Sequence, residues 1–140
     1  MKMEESCKVR QALALRARTD IKYNCCQAMV LPFAEEFGLP AEEIRRMTAN
    51  IGGGLRMGAT CGAVCGGVMV LGLFGIQDPA VVKEYYAAVR ERIGDDLNCA
   101  ELLRKNEERG GEKKPFCDAL IADCMRLTEE FLAARGLYTM

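Results

Sequence analysis

The sequence predicts an all-α fold, a compact single-domain bundle of about six to seven helices over residues 1–140. Three observations point there. No stretch sustains the period-2 alternation, bounded by turn residues, that strands require. Helix start and stop residues instead recur along the chain. The segment from Met57 to Gln77 carries no charged residue, as suits an apolar central helix wrapped by the others. A length of 140 residues fits one domain, and a composition 50% apolar and 28% charged supplies a core and argues against disorder.

The first helix is expected from about Glu5 to Arg18, with Val9, Ala12, Leu13 and Ala17 on one side. The second starts at Asn24 and runs to about Phe37, closed by Gly38; Pro32 removes one backbone donor inside it and should kink it. The third opens at Pro40, places Glu42 and Glu43 where the helix dipole favours acids, and reaches about Asn50. Gly52-Gly53-Gly54 then makes a flexible or tight connection to the glycine-rich central helix, about Thr60 to Phe74. Gly58, Gly62 and Gly66 recur there every fourth position and let neighbouring backbones approach. Asp78 and Pro79 give the start signal of the next helix, whose stripe is Val81, Val82, Tyr85, Tyr86, Val89 and Ile93 and whose stop is Gly94. A short helix begins at Asn98 and fades by Asn106, and 106–114 reads as a polar loop. The last helix starts at Pro115 and carries Phe116, Leu120, Ile121, Leu127, Phe131 and Leu132 before Gly136.

Composition excludes several functions. Nineteen basic against twenty acidic residues leave a net charge of −1, which is no footprint for nucleic acid. The basic lean of the first 22 residues is interspersed with acids and reads as a solvated face. The chain has no histidine, which removes His-ligated zinc, imidazole triads, Cys–His nucleophiles and c-type haem attachment. It has eight cysteines, so sulfur is the leading carrier of any chemistry. Met1 to Arg10 shows no signal-peptide run, so the expected location is cytoplasmic, where structural disulfides are rare. Residues 57–77 are long enough to span a bilayer, but their six glycines and missing N-terminal aromatic belt favour a buried helix and no membrane insertion. Gly52 to Gly54 does not spell a phosphate loop and follows a helix where a strand is required. Tyr85-Tyr86 reads as core plus rim, and Glu35-Glu36 carries no signal for acid–base work.

The cysteines fall at helix starts. Asn24-Cys25-Cys26-Gln27 has the capping-box arrangement, and Asn98-Cys99-Ala100-Glu101 repeats it. Thr60-Cys61 is similar, and Cys117 lies two residues after Pro115. Four helix starts thus each deliver a thiol beside amides that lack an intrahelical acceptor. Such a position lowers a thiol pKa and favours the thiolate, which attacks disulfides and binds metals. Convergence of Cys25, Cys61, Cys99 and Cys117 would make a sulfur cluster ringed by amides of the kind that support an iron–sulfur centre, and Arg56 would add positive charge. Cys124 shares the apolar stripe of Leu120, Ile121 and Leu127 and reads as core. Cys65, one turn beyond Cys61, reads as a second ligand, a resolving thiol or packing, and Cys7 as incidental. Cys25 and Cys26 project about 100° apart, so only one of them faces a common centre. No two cysteines have the Cys-x-x-Cys spacing of zinc ribbons or thioredoxins, so any site is assembled across the fold. Spacing leaves zinc, an iron–sulfur cluster and a thiol pair all open.

Asn24-Cys25, the run Gly58-Ala59-Thr60-Cys61-Gly62-Ala63-Val64-Cys65-Gly66, Asn98-Cys99-Ala100-Glu101-Leu102-Leu103 and Cys117 together resemble the C_GCAxxG_C_C family of small redox-active proteins, over nearly the whole chain. The resemblance implies a redox-active or metal-binding role, with the four signature cysteines at Cys25, Cys61, Cys99 and Cys117. Cys26, Cys65 and Cys124 are additions to the simplest family pattern and, with Arg56, are the auxiliary candidates that would extend the site toward a cofactor. The function expected is a cytosolic thiol protein that cycles between dithiol and disulfide or holds an iron–sulfur cluster, serving an electron-transfer or thiol partner. The alternative is a zinc-stabilised structural or interaction module. The glycine-rich helix and the tyrosines would permit a homodimer.

Overall fold

A computed structural model describes residues 6–139 and contains seven α-helices among them. No strand forms among the described residues; the one β-type pairing is an isolated antiparallel bridge between Thr60 and Asn98. The all-α expectation is met.

Helix α1 (Cys7–Ala17) is capped by Ser6, whose Oγ accepts from the Val9 amide. The start expected at Glu5 lies outside the described residues. Helix α2 (Cys25–Ala34) passes through Pro32 and then tightens into a 3-10 turn, Glu35–Phe37, which Gly38 ends in the left-handed conformation at φ 63°. The Lys8 ammonium on α1 donates to the Pro32 carbonyl at 2.6 Å and lies 4.7 Å from the centre of the Phe33 ring, tying the two helices at this point.

Helix α3 (Ala41–Met47) is shorter than expected. The central segment becomes α4 (Gly62–Leu73), which starts two residues later than its sequence signals suggest. Helix α5 (Pro79–Ile93) follows its signals: Asp78 accepts from the Ala80 amide at 2.9 Å and Pro79 takes the first position. Helix α6 (Cys99–Glu108) outlasts Asn106, helped by Arg104, which pairs with both Glu101 and Glu108 one turn away on either side. Helix α7 (Lys113–Ala134) begins two residues before Pro115. Proline fits there because the amides of a first turn have no intrahelical acceptor to lose.

Packing is organised around α2, which lies against α1, α3, α4 and α7, while α4 also packs on α7. The buried core takes Met29 and Phe33 from α2, Val64, Val70 and Leu71 from α4, and Ile121, Met125 and Leu132 from α7. Two glycines set the closeness of α4. A Cβ on Gly66 would stand 2.5 Å from Met29 Cβ, and one on Gly67 would stand 2.0 Å from Tyr85 Oη. Tyr85 is fully buried and shares a 2.8 Å hydrogen bond with Thr128. The two ends of the described chain meet on the buried Glu129, which accepts from Ser6 Oγ at 2.5 Å and Tyr138 Oη at 3.0 Å. Among the described residues no helix is long and apolar enough to cross a membrane.

This packing separates the glycines by cost. Gly66→Ala should destabilise the protein by about 1–3 kcal/mol, because α2 backbone and Met29 must move to admit the methyl. Gly72→Ala, on the exposed side of α4 with nothing within 4 Å, should be neutral or stabilising by up to about 1 kcal/mol. Urea unfolding of the two variants checks the contrast.

Candidate functional site

The site is assembled by tying helix starts to one another. At α2 the capping box forms in full: Asn24 Oδ1 accepts from the Gln27 amide, and the Asn24 amide donates to Gln27 Oε1, both at 2.8 Å. The same side chains reach outward. Asn24 Nδ2 donates to the Thr48 and Ala49 carbonyls, and Gln27 Nε2 to the Arg45 carbonyl, fixing the start of α2 to the end of α3.

At α4 and α6 the expected side-chain caps do not form. Asn98 makes no capping bond, and the residue before α4 is Cys61 itself, with Thr60 outside. The backbone takes over. The Cys61 amide donates to the Leu97 carbonyl at 2.8 Å and the Cys99 amide to the Ala59 carbonyl at 2.6 Å. These two bonds form the Thr60–Asn98 bridge and lay the segments carrying Cys61 and Cys99 side by side. The chain reaches Ala59 through a tight loop in which Gly53, Gly54, Leu55, Arg56 and Gly58 all have positive φ. Leu55 and Arg56 hold the left-handed conformation that side chains disfavour. A Cβ on Gly54 would stand 2.3 Å from the Ala59 carbonyl oxygen, so only glycine lets the loop close.

Cys25, Cys61, Cys99 and Cys117 line one cavity, completed by Gly53, Gly62, Leu102, Leu103, Phe116 and Leu120. Its free volume, about 10 Å³, is at the lower limit for a single water. All the cysteines are free thiols. Within the group, Cys25 and Cys117 influence each other most strongly, and Cys117 also acts electrostatically on Cys61 and Cys99.

The expectation that helix starts would lower all four thiols is overturned. Pairing with Cys117 and burial push Cys25 far above the ordinary thiol range. Burial pushes Cys61 up to about 11, against the opposing pull of the Ala63 and Val64 amides. Cys99 is also raised, by burial and by its neighbour Cys117. Cys117 alone falls, to about 7. Its first cause is the hydrogen bond from Cys25; the positive charges of Arg16 and Lys113 add to it, while burial and Asp118 oppose. The helix end contributes little, because Cys117 is the fifth residue of α7 and not in its first turn.

Arg16 and Lys113 are the site residues that the sequence reading missed, one taken for a solvated face and the other for a loop. Arg16 donates to Asp118 Oδ1 at 2.9 Å and to the Tyr23 carbonyl at 2.8 Å, so it bridges the residues flanking Cys117 and the start of α2. No spacing rule announces it; the signal was an arginine in the last turn of an otherwise half-apolar helix face. Arg56 instead is exposed and donates to the Ala49 carbonyl.

The remaining cysteines lie elsewhere. Cys26 turns from the cavity to the α4 face, where its sulfur donates to Met69 Sδ at 3.6 Å. Cys65 donates to the Thr60 carbonyl at 3.7 Å. Cys124 is fully buried in the core, and Cys7 is exposed. Among the described residues, no three His, Cys, Asp or Glu side chains are grouped so as to hold a metal ion.

Removing either cation should raise the Cys117 pKa. Arg16→Gln and Lys113→Gln should each move its titration upward from about 7, Arg16→Gln by about one pH unit, and Asp118→Asn should move it downward. Ultraviolet absorbance of the thiolate against pH gives the measurement.

No curated protein and no solved structure matches the chain. A family described as "Putative redox-active protein (C_GCAxxG_C_C)" matches residues 23–131, a span that holds the capped start of α2, the cavity and all four of its cysteines. The chain belongs to this redox-active, cysteine-rich family.

Proposed function

We propose that this protein is a thiol–disulfide redox carrier of a reducing, cytoplasmic environment, whose working couple is Cys25 with Cys117. The meeting of Cys25 and Cys117 in one cavity, with Cys117 drawn down to about 7 chiefly by Cys25, carries the reading. At pH 7 about half of Cys117 is thiolate, against about 1% of a thiol at the ordinary 9.0. The Cys117 thiolate attacks a partner disulfide, forming a mixed disulfide and releasing the partner's first thiolate. Cys25 then attacks the Cys117 sulfur. Its proton goes to the departing second thiolate, and the chain is left with a Cys25–Cys117 disulfide. Two electrons have passed to the partner. In the reverse direction Cys117 is the better leaving group, because a thiol of lower pKa departs faster. Cys61 and Cys99 wall the couple and keep water from it.

The test is an anaerobic preparation assayed for iron, zinc and acid-labile sulfide, then oxidised and mapped under non-reducing conditions. Metal-free protein with a Cys25–Cys117 linked peptide is the expected result. Stoichiometric zinc, or iron with labile sulfide, would replace the carrier by a metal-bound module. Alkylation of Cys117 in the reduced protein should accelerate through pH 7. In Cys25→Ser that midpoint should rise, because the hydroxyl is a weaker partner for the thiolate.

A further inference from the structure

Of the four cysteines outside the cavity, none of which has a role in that mechanism, Cys26 and Cys65 sit on helices packed against each other. Cys26 is fully buried and Cys65 half-buried, on α2 and α4 respectively. Their helices approach closely here. A Cβ on Gly66, the residue next to Cys65, would stand 3.1 Å from the Cys26 carbonyl oxygen. The Cys26 sulfur already touches Met69 Sδ at 3.6 Å. Met69 is four residues beyond Cys65, so the two share one face of α4, and Cys26 points at that face. Charge on Cys65 also acts on Cys26, which burial holds up at about 12.

We propose that Cys26 and Cys65 are a second redox couple, which closes under oxidation into a disulfide joining α2 to α4. The oxidant is a small soluble disulfide. Half-buried Cys65, as thiolate, attacks it and becomes a mixed disulfide, releasing one small thiolate. Cys26 gives up its proton to the second departing thiolate as its sulfur attacks Cys65. One small disulfide is reduced to two thiols, and the two protein thiols are oxidised. A rotamer change carries the Cys26 sulfur from Met69 to Cys65. The link would fix α2 against α4 one residue away from Cys25, so the oxidation state of this pair would set the rigidity of the neighbouring cavity. The proposal does not rest on the Cys25–Cys117 reading.

The test treats the full chain with oxidised glutathione, alkylates the remaining thiols and maps the tryptic peptides. Peptides 23–45 and 57–83 each contain two cysteines, so the Cys25→Ser/Cys61→Ser double variant is used beside the wild type. In that variant a 23–45 to 57–83 link can only join Cys26 to Cys65; in the wild type, fragmentation spectra locate the link. The expected result is this cross-link with loss of alkylation at both residues, and its disappearance in Cys65→Ala. Glutathione retained on Cys65 with Cys26 still alkylated after denaturation would overturn the proposal, as would Cys26 linked to any other cysteine. A wild-type protein that forms Cys26–Cys65 without Cys25–Cys117 would uphold this inference and sink the carrier reading.

Discussion

Two backbone hydrogen bonds, from the Cys61 amide to Leu97 and from the Cys99 amide to Ala59, are what the cavity depends on. A helix start leaves its first amides without an intrahelical acceptor, but caps or water ordinarily meet them, so two helix starts have no intrinsic reason to lie together. Here the two starts use their unpaired amides on each other's approach segments. Each bond satisfies an orphan donor and fixes the spacing of two sulfurs at the same time. The tight loop over 53–58 follows from this demand: the chain leaving α3 must turn sharply to bring Ala59 into range, and it accepts left-handed Leu55 and Arg56 to do so.

Once the thiols are gathered, desolvation decides their acidity. A helix start favours an anion by a modest amount that fades within a turn, whereas withdrawal from water penalises the thiolate more. Cys61 shows both influences on one atom, and burial wins. Cys117 escapes because its thiolate has a donor in Cys25 and two cations nearby. The asymmetry within the couple is reciprocal, since the proton that Cys25 keeps is the one that stabilises the Cys117 thiolate.

Much of this was legible in the sequence, for definite reasons. Asn24 and Gln27 sit at capping-box spacing, Asp78-Pro79 announces α5, and both read correctly because a cap is a local interaction. The grouping of Cys25, Cys61, Cys99 and Cys117 could be anticipated from their shared position near helix starts. Asn98 misled for the converse reason: its spacing was right, but its segment is held by the pairing of the Cys99 amide with Ala59, forty residues away in the chain, and its side chain makes no cap. The start of α7 was displaced because proline marks a first turn without saying which of its positions it occupies. Arg16 was hidden because its partners Asp118 and Tyr23 lie on other elements, and charge spacing along one helix is silent about those.

The cavity lined by the four cysteines also limits what fits beside them. A flavin or nicotinamide ring needs a slot of aromatic dimensions to stack beside its acceptor, and a chamber of about 10 Å³ has none. In the carrier reading, a partner sulfur would have to part Leu102, Leu103, Phe116 and Leu120 to reach the couple, so the packing of α6 on α7 would itself gate the exchange.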